Sequence, residues 1–319
     1  MGQSWHLLAL STLLLGTSHV SAQCHSWVHP PRFSTLNSTV RALATWDPDG
    51  SGPLEAVLVA GGHFTTADGL SALRVAQWNG QSWEPLGSGF NAAVNSLAVV
   101  NGELFAGGDF TASGQTSVAR IARWTGTAWV PVGSGLGPPF QMASVEAMIE
   151  YEGQLIATGT FTRAGALPVN CVARWTGLNW EPLGSGLDGT GRALALHNDE
   201  LVVGGQFTTA GDAPARNVAK WSVGNWHQIG DGVPGTILSL ASLDRELIVA
   251  GSFWHGPRRN ISRWDGETWS EDGLYVSLEG AVNALVVHEG LLFAAGAFTH
   301  SFFHWLNRIG WWGARTGGI

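Results

Sequence analysis

The amino-acid sequence predicts an all-β chain, a six-bladed β-propeller of four-stranded antiparallel blades. Three observations carry this expectation. One phrase recurs six times, the first five copies each hold four strand-like runs, and prolines mark one run as an outer edge. The phrase is clearest at Leu104-Phe105-Ala106-Gly107-Gly108-Asp109-Phe110-Thr111, followed by Arg123-Trp124-Thr125-Gly126-Thr127-Ala128-Trp129 and Gly133-Ser134-Gly135-Leu136. Its phenylalanine stands at Phe64, Phe110, Phe161, Phe207, Phe253 and Phe298, in steps of 46, 51, 46, 46 and 45 residues. Self-similarity at this period is the mark of a repeat architecture.

In the second repeat the four runs are Val94–Val100, Glu103–Gly108, Ala119–Trp124 and Ala128–Val132, named here a, b, c and d. Asn101-Gly102, Glu152-Gly153, Asn198-Asp199 and Glu289-Gly290 join a to b; Asn79-Gly80, Thr125-Gly126 and Asp265-Gly266 join c to d. Asn-Gly and Asp-Gly supply the positive φ values that tight hairpins need, so each repeat reads as an up-and-down sheet. Tryptophans five apart recur at 78/83, 124/129, 175/180, 221/226 and 264/269. A two-residue c–d turn puts the two rings on a diagonal, a four-residue loop puts them directly opposite, and both place them on one face. Repetition in five units favours packing between sheets over a carbohydrate platform, because stacked repeats bury a shared apolar face. Pro85, Pro131 and Pro182 follow the second tryptophan by two residues. Proline cannot donate to a ladder, so d is the outer edge strand. Four-stranded sheets repeated radially describe a propeller.

The sixth repeat holds Val282–Val287, Leu291–Gly296 and Asn307–Trp311 and then ends without a clear d run. Ser26-Trp27-Val28-His29-Pro30, ahead of strand a at Val40, has the look of an orphan d strand. The expectation is that this N-terminal segment closes the ring as the outer strand of the last blade, making residues 23–319 one domain.

Residues 1–22 read as a signal peptide, with an apolar core at Leu7–Gly16 and small residues Val20-Ser21-Ala22 before Gln23. That core is shorter than the ~20 residues of a membrane span. The expected location is secreted, extracellular or periplasmic. A formal net charge of -8 argues against a nucleic-acid partner. Cys24 and Cys171 are the only cysteines, and Cys171 reads as a buried thiol in a strand of the third repeat.

The Gly-Gly doublet ending b, the aromatic ending c and the tryptophan opening d together resemble the kelch repeat. Closer still is the resemblance to secreted bacterial repeat proteins related to the Rax2 propellers, carried by Gly-Gly-x-Phe-Thr, Arg-Trp-x-Gly-x-x-Trp and Gly-Ser-Gly over residues ~26–316. Kelch repeats usually hold Tyr where Trp78, Trp124 and Trp175 stand. Thr158-Gly159, Gly251-Ser252 and Ala295-Gly296 replace the doublet in blades three, five and six. The family includes enzymes, adhesins and scaffolds, so the resemblance implies the fold and no activity.

A galactose-oxidase-like copper site needs tyrosines, and only Tyr151 and Tyr275 exist. The Asp-box-like run Ser262–Trp269 reads as an ordinary Asp-Gly hairpin. Arg123, Arg174, Lys220 and Arg263, each before a first tryptophan, read as a structural face of strand c. Asp47, Asp49 and Ser51, with Glu55 nearby, alternate as calcium ligands do, although Leu58 stands where an EF-type loop has glutamate. No zinc spacing, phosphate loop or nucleophile elbow is present, so no catalytic residue, catalytic metal or organic cofactor is expected.

The b–c and d–a connections emerge on one face, the loop face, where variable loops carry function. Blades five and six break the phrase there, with Trp254, His255, Arg258 and Arg259, then His300, Phe302, Phe303, His304 and Trp305. Aromatic and cationic groups together suit an extracellular glycan or acidic protein ligand. The expected function is a non-catalytic binding or structural module. The alternative is a hydrolase or lyase acting on extracellular glycans from the same face.

Overall fold

A computed structural model describes residues 35–137, 143–255, 258–270, 278–299 and 308–313. It is all β, and its main sheets are six blades in sequence order. The inner strands a are Val40–Trp46, Val94–Val100, Val145–Tyr151, Thr190–His197, Gly235–Leu243 and Val282–His288. Each pairs with a strand b: Val57–Gly62, Glu103–Gly108, Gln154–Gly159, Glu200–Gln206, Glu246–His255 and Leu291–Gly296. Strands c are Val75–Trp78, Ile121–Trp124, Val172–Trp175, Val218–Ser222, Arg258–Trp264 and Ile309–Gly313. Five blades add an outer strand d: Trp83–Pro85, Trp129–Pro131, Trp180–Pro182, Asn225–Gln228 and Trp269–Ser270. Blade six has three strands among the described residues, and the segment expected to close it, Trp27–Pro30, lies outside them. The inner strands of consecutive blades pack side by side from blade one to blade six.

The a–b turns of blades two to six are the two-residue type that the sequence predicts, whereas blade one joins Trp46 to Val57 through the longer loop 47–56. Val100 pairs with Glu103, and both turn residues are left-handed, Asn101 at φ 51° and Gly102 at φ 80°. In blades one, two, three and five the c–d connection takes the longer of the two registers, whereas blade four also pairs Ser222 with Asn225 and turns on Val223-Gly224. Trp78 pairs directly with Trp83 and Trp124 with Trp129, which leaves four loop residues. In blade one Asn79 Oδ1 accepts the Gln81 and Ser82 N–H groups and organises that loop.

The tryptophan pairs belong to the core. Their ring centroids stand 5.2–5.6 Å apart at tilted or edge-on angles, the arrangement that the aromatic quadrupole favours. Each second tryptophan from blade two onward reaches into the preceding blade. Trp129, Trp180, Trp226 and Trp269 donate their indole N–H to the carbonyls of Leu86, Val132, Leu183 and Ile229, at 2.8–3.1 Å. The first tryptophan sits on the Gly-Ser-Gly turn of the preceding blade. A Cβ on Gly87 would stand 2.6 Å from Trp124 Cζ3, so that turn must open with glycine.

Every inner strand carries a β-bulge near its start. Strand b falls out of step between Val40 and Ala42, Val94 and Ser96, Val145 and Ala147, Gly191 and Ala193, Ile237 and Ser239, and Val282 and Ala284. The bulge presses the inner backbone onto the second glycine of the doublet. A Cβ on Gly108 would lie 2.1 Å from the Ala93 carbonyl oxygen, and the same approach recurs at Gly62, Gly159, Gly205, Gly251 and Gly296. In blade five the doublet position is therefore Ala250-Gly251 rather than Gly251-Ser252. The first doublet position meets a branched residue of the next blade, as Gly107 meets Val145. Blades three and four exchange these roles: Thr158 replaces glycine, and Gly191 replaces the branched residue.

Candidate functional site

The two faces of the ring are built differently. On the a–b face, turns are tied to their neighbours. Trp46 Nε1 donates to the Gly102 carbonyl at 2.9 Å, and Asn101 Nδ2 donates to that of Gly153 at 2.9 Å. His197 Nδ1 lies 2.9 Å from Ser242 Oγ, and burial lowers its pKa. On the loop face, blades one to four close their b–c connection with a small two-stranded ribbon, as at Ala112–Ser113 with Thr116–Ser117. A residue of the d–a loop clamps each of three such ribbons. Asn91 Oδ1 accepts the N–H groups of Thr111 and Ala112, Asn37 those of Thr65 and Thr66, and Asp188 those of Thr208 and Thr209. Burial alone would raise the Asp188 carboxyl, but the hydrogen bonds from Thr208 and Thr209 outweigh it and hold its pKa below the usual value.

Blade five departs from that pattern. Its strands b and c run on beyond the ring, with Trp254 paired to Arg259 and His255 to Arg258. The result is a longer hairpin in place of the ribbon, and Trp254 is 65% exposed on it. These four residues of the expected ligand site therefore fall together on one hairpin. His300, Phe302, Phe303, His304 and Trp305 lie outside the described residues.

The bulges create a second set that the sequence reading missed. Their extra residues are Arg41, Asn95, Glu146, Arg192, Leu238 and Asn283, one per inner strand, at the loop-face end of the ring. Arg41 Nη1 donates to Asn95 Oδ1 at 3.1 Å, linking blades one and two. Asn95 Nδ2 in turn reaches Asp109 Oδ1 at 3.0 Å and Ser144 Oγ at 2.9 Å. His63 stands among these charges. Burial and then Arg41 lower its pKa, with Asp109 opposing. Arg192 Nε is buried with no hydrogen-bond partner among the described residues. A signal for the bulge was present: Val94 and Leu97 both pack toward blade one, yet strict alternation puts residues three apart on opposite faces.

The strand-c cations form ion pairs within their own blades: Arg123 with Glu103, Arg174 with Glu181, Lys220 with Glu200 and Arg263 with Glu246. Cys171 is a free, buried thiol. It sits in a left-handed turn (φ 66°) just before strand c rather than in the strand, and burial pushes its pKa up to about 11. In the Asp47–Glu55 loop, Asp47 Oδ1 accepts the Asp49 and Gly50 N–H groups, and Asp49 Oδ2 accepts that of Leu54. Among the described residues no three His, Cys, Asp or Glu side chains gather as a metal site.

A family model described as the Rax2 C-terminal beta propeller domain matches residues 138–288. That stretch, just under half of the chain, bears out the Rax2-like reading of the repeat. No curated protein matches the chain. Among solved structures, the extracellular domain of a putative one component system from B. thetaiotaomicron is similar, with TM-score 0.54 and 10% identity. The match covers 83% of this chain and 32% of that one, so this chain spans about a third of its length. At that identity the likeness shows the fold alone.

Proposed function

We propose that this Rax2-like propeller is a non-catalytic extracellular binding module that takes a glycan or protein ligand on its loop face. The observation that carries this reading is the blade-five hairpin. Four blades finish their b–c connections with short ribbons held by hydrogen bonds, whereas blade five extends its strands and leaves Trp254 65% exposed. Tryptophan is the residue type most often found to anchor an interface. Arg258 and Arg259 stand on the partner strand of the same hairpin, and guanidinium groups pair with carboxylate or sulfate in forked geometry. The tryptophan pairs offer no competing platform, because every second tryptophan is at most 9% exposed. The secreted location is part of the proposal. It rests on the signal-like residues 1–22, and no described helix is long and apolar enough to cross a membrane.

The test is a glycan-array and secretome-binding screen with the purified protein, repeated with Trp254→Ala. Loss of a hot-spot aromatic typically costs ~2 kcal/mol or more of binding. The reading requires lost affinity at unchanged melting temperature. Lowered stability with intact affinity would show that the hairpin only packs against its neighbours.

A further inference from the structure

We propose that the loop-face mouth of the ring is a second site, one that binds a small zwitterion, an ammonium carboxylate such as a free α-amino acid. Arg192 would take the carboxylate and Glu146 the ammonium. The proposal deepens the reading that the loop face binds ligands, but it uses different residues from the blade-five hairpin.

The bulges set the geometry. One extra residue stands at the same register in each of six inner strands, and these strands pack side by side from blade one to blade six. The Arg41–Asn95 hydrogen bond shows that the extra residues of blades one and two come within direct reach of each other. That pair is satisfied, and Asn95 is buried at 8% exposure with further bonds to Asp109 and Ser144. Blades three and four hold the opposite case. Glu146 and Arg192 occupy the equivalent positions and are both half-buried. Neither makes a hydrogen bond or ion pair with a described residue, and the Arg192 Nε is fully covered.

Half-buried charges without partners are unfavourable until something satisfies them. A carboxylate alone would suit the Arg192 fork but would bring a second negative charge beside Glu146. An ammonium alone would repel Arg192. A zwitterion satisfies both charges with charge-assisted hydrogen bonds and leaves the local charge unchanged. Leu238, the half-buried extra residue of blade five, follows Arg192 around the ring and offers apolar contact to a ligand side chain.

The test uses the full ¹⁵N-labelled protein and observes the Arg192 Nε–H resonance during titration with glycine and leucine. Acetate and glucuronate serve as carboxylates lacking the ammonium. Leucine should shift the resonance saturably. Arg192→Ala and Glu146→Gln should each weaken leucine binding about tenfold or more, as expected for loss of a charge-assisted contact. Both should keep the wild-type melting temperature. Trp254→Ala should leave leucine affinity unchanged, so failure here and failure of the hairpin reading are separable. Three results overturn the proposal: no shift with either amino acid, acetate or glucuronate binding as tightly as leucine, or leucine binding unaffected by Glu146→Gln.

Discussion

Ring closure makes a quantitative demand on a single indole. Four second tryptophans bond to a carbonyl three residues after the second tryptophan of the preceding blade. Trp83, their counterpart in blade one, has no acceptor for its indole N–H among the described residues. If the segment opening at Trp27 is the outer strand of blade six, the same offset assigns that acceptor to residue 30. The perturbation is Trp83→Phe, which keeps an aromatic ring and deletes the donor. Trp180→Phe is the matched control, since the two indoles are 5% and 6% exposed and Trp180 bonds to Val132 at 3.0 Å. Leaving a buried acceptor unsatisfied costs about 1–3 kcal/mol. At roughly 2–4 °C per kcal/mol for chains of 150–250 residues, that is a fall of several degrees in Tm, with a longer chain near the lower figure. Urea and thermal unfolding of the full chain should show similar losses for both variants. Coupling between Trp27→Ala and Trp83→Phe in a double-mutant cycle would add direct support. The reasoning fails if Trp83→Phe stays within ~0.5 kcal/mol of the parent, the usual range of a surface substitution, while Trp180→Phe does not.

Two further outcomes follow from the ring's construction. Gly108→Ala should destabilise by about 1–3 kcal/mol or more, since its methyl would overlap the Ala93 carbonyl oxygen and the inner strand would have to move; a urea midpoint equal to the parent's contradicts the bulge. Asp188 is held below its usual pKa of 3.8 in the folded protein, so its share of the stability is present above that value and is lost as pH falls through the folded pKa. Asp188→Asn should therefore flatten the acid limb of a stability–pH curve and leave stability near pH 7 unchanged, because Asn91 makes the same clamp in blade two. An unchanged acid limb would show that the clamp contributes no pH dependence.

Much of the fold was legible because repetition turns weak local signals into strong ones. The predicted runs Val94–Val100 and Glu103–Gly108 match the strands residue for residue, and Pro85, Pro131 and Pro182 do end outer strands. The c–d register was open because both alternatives put Trp78 and Trp83 on one face, and only backbone pairing separates them. The small ribbons of the b–c loops went unseen because two-residue strands have too little sequence to show periodicity. The ring-mouth residues were hidden for another reason. Arg41, Asn95, Glu146 and Arg192 look like ordinary outward positions of an alternating strand, and a one-residue bulge changes where every following side chain points. The three-residue spacing of Val40 and Leu43, Val94 and Leu97, Val145 and Met148, and Ile237 and Leu240 records those bulges in the sequence.

Amide hydrogen exchange of the protein with and without a ligand recovered from the binding screen tests the central claim most directly, that repeated residues build the ring and recognition sits on the loop face. The account predicts new protection confined to the b–c and d–a connections and the bulge residues, above all around Trp254 and Arg192. Protection centred on the a–b turns at Asn101-Gly102 and Glu152-Gly153, or on the c–d loops, would contradict it.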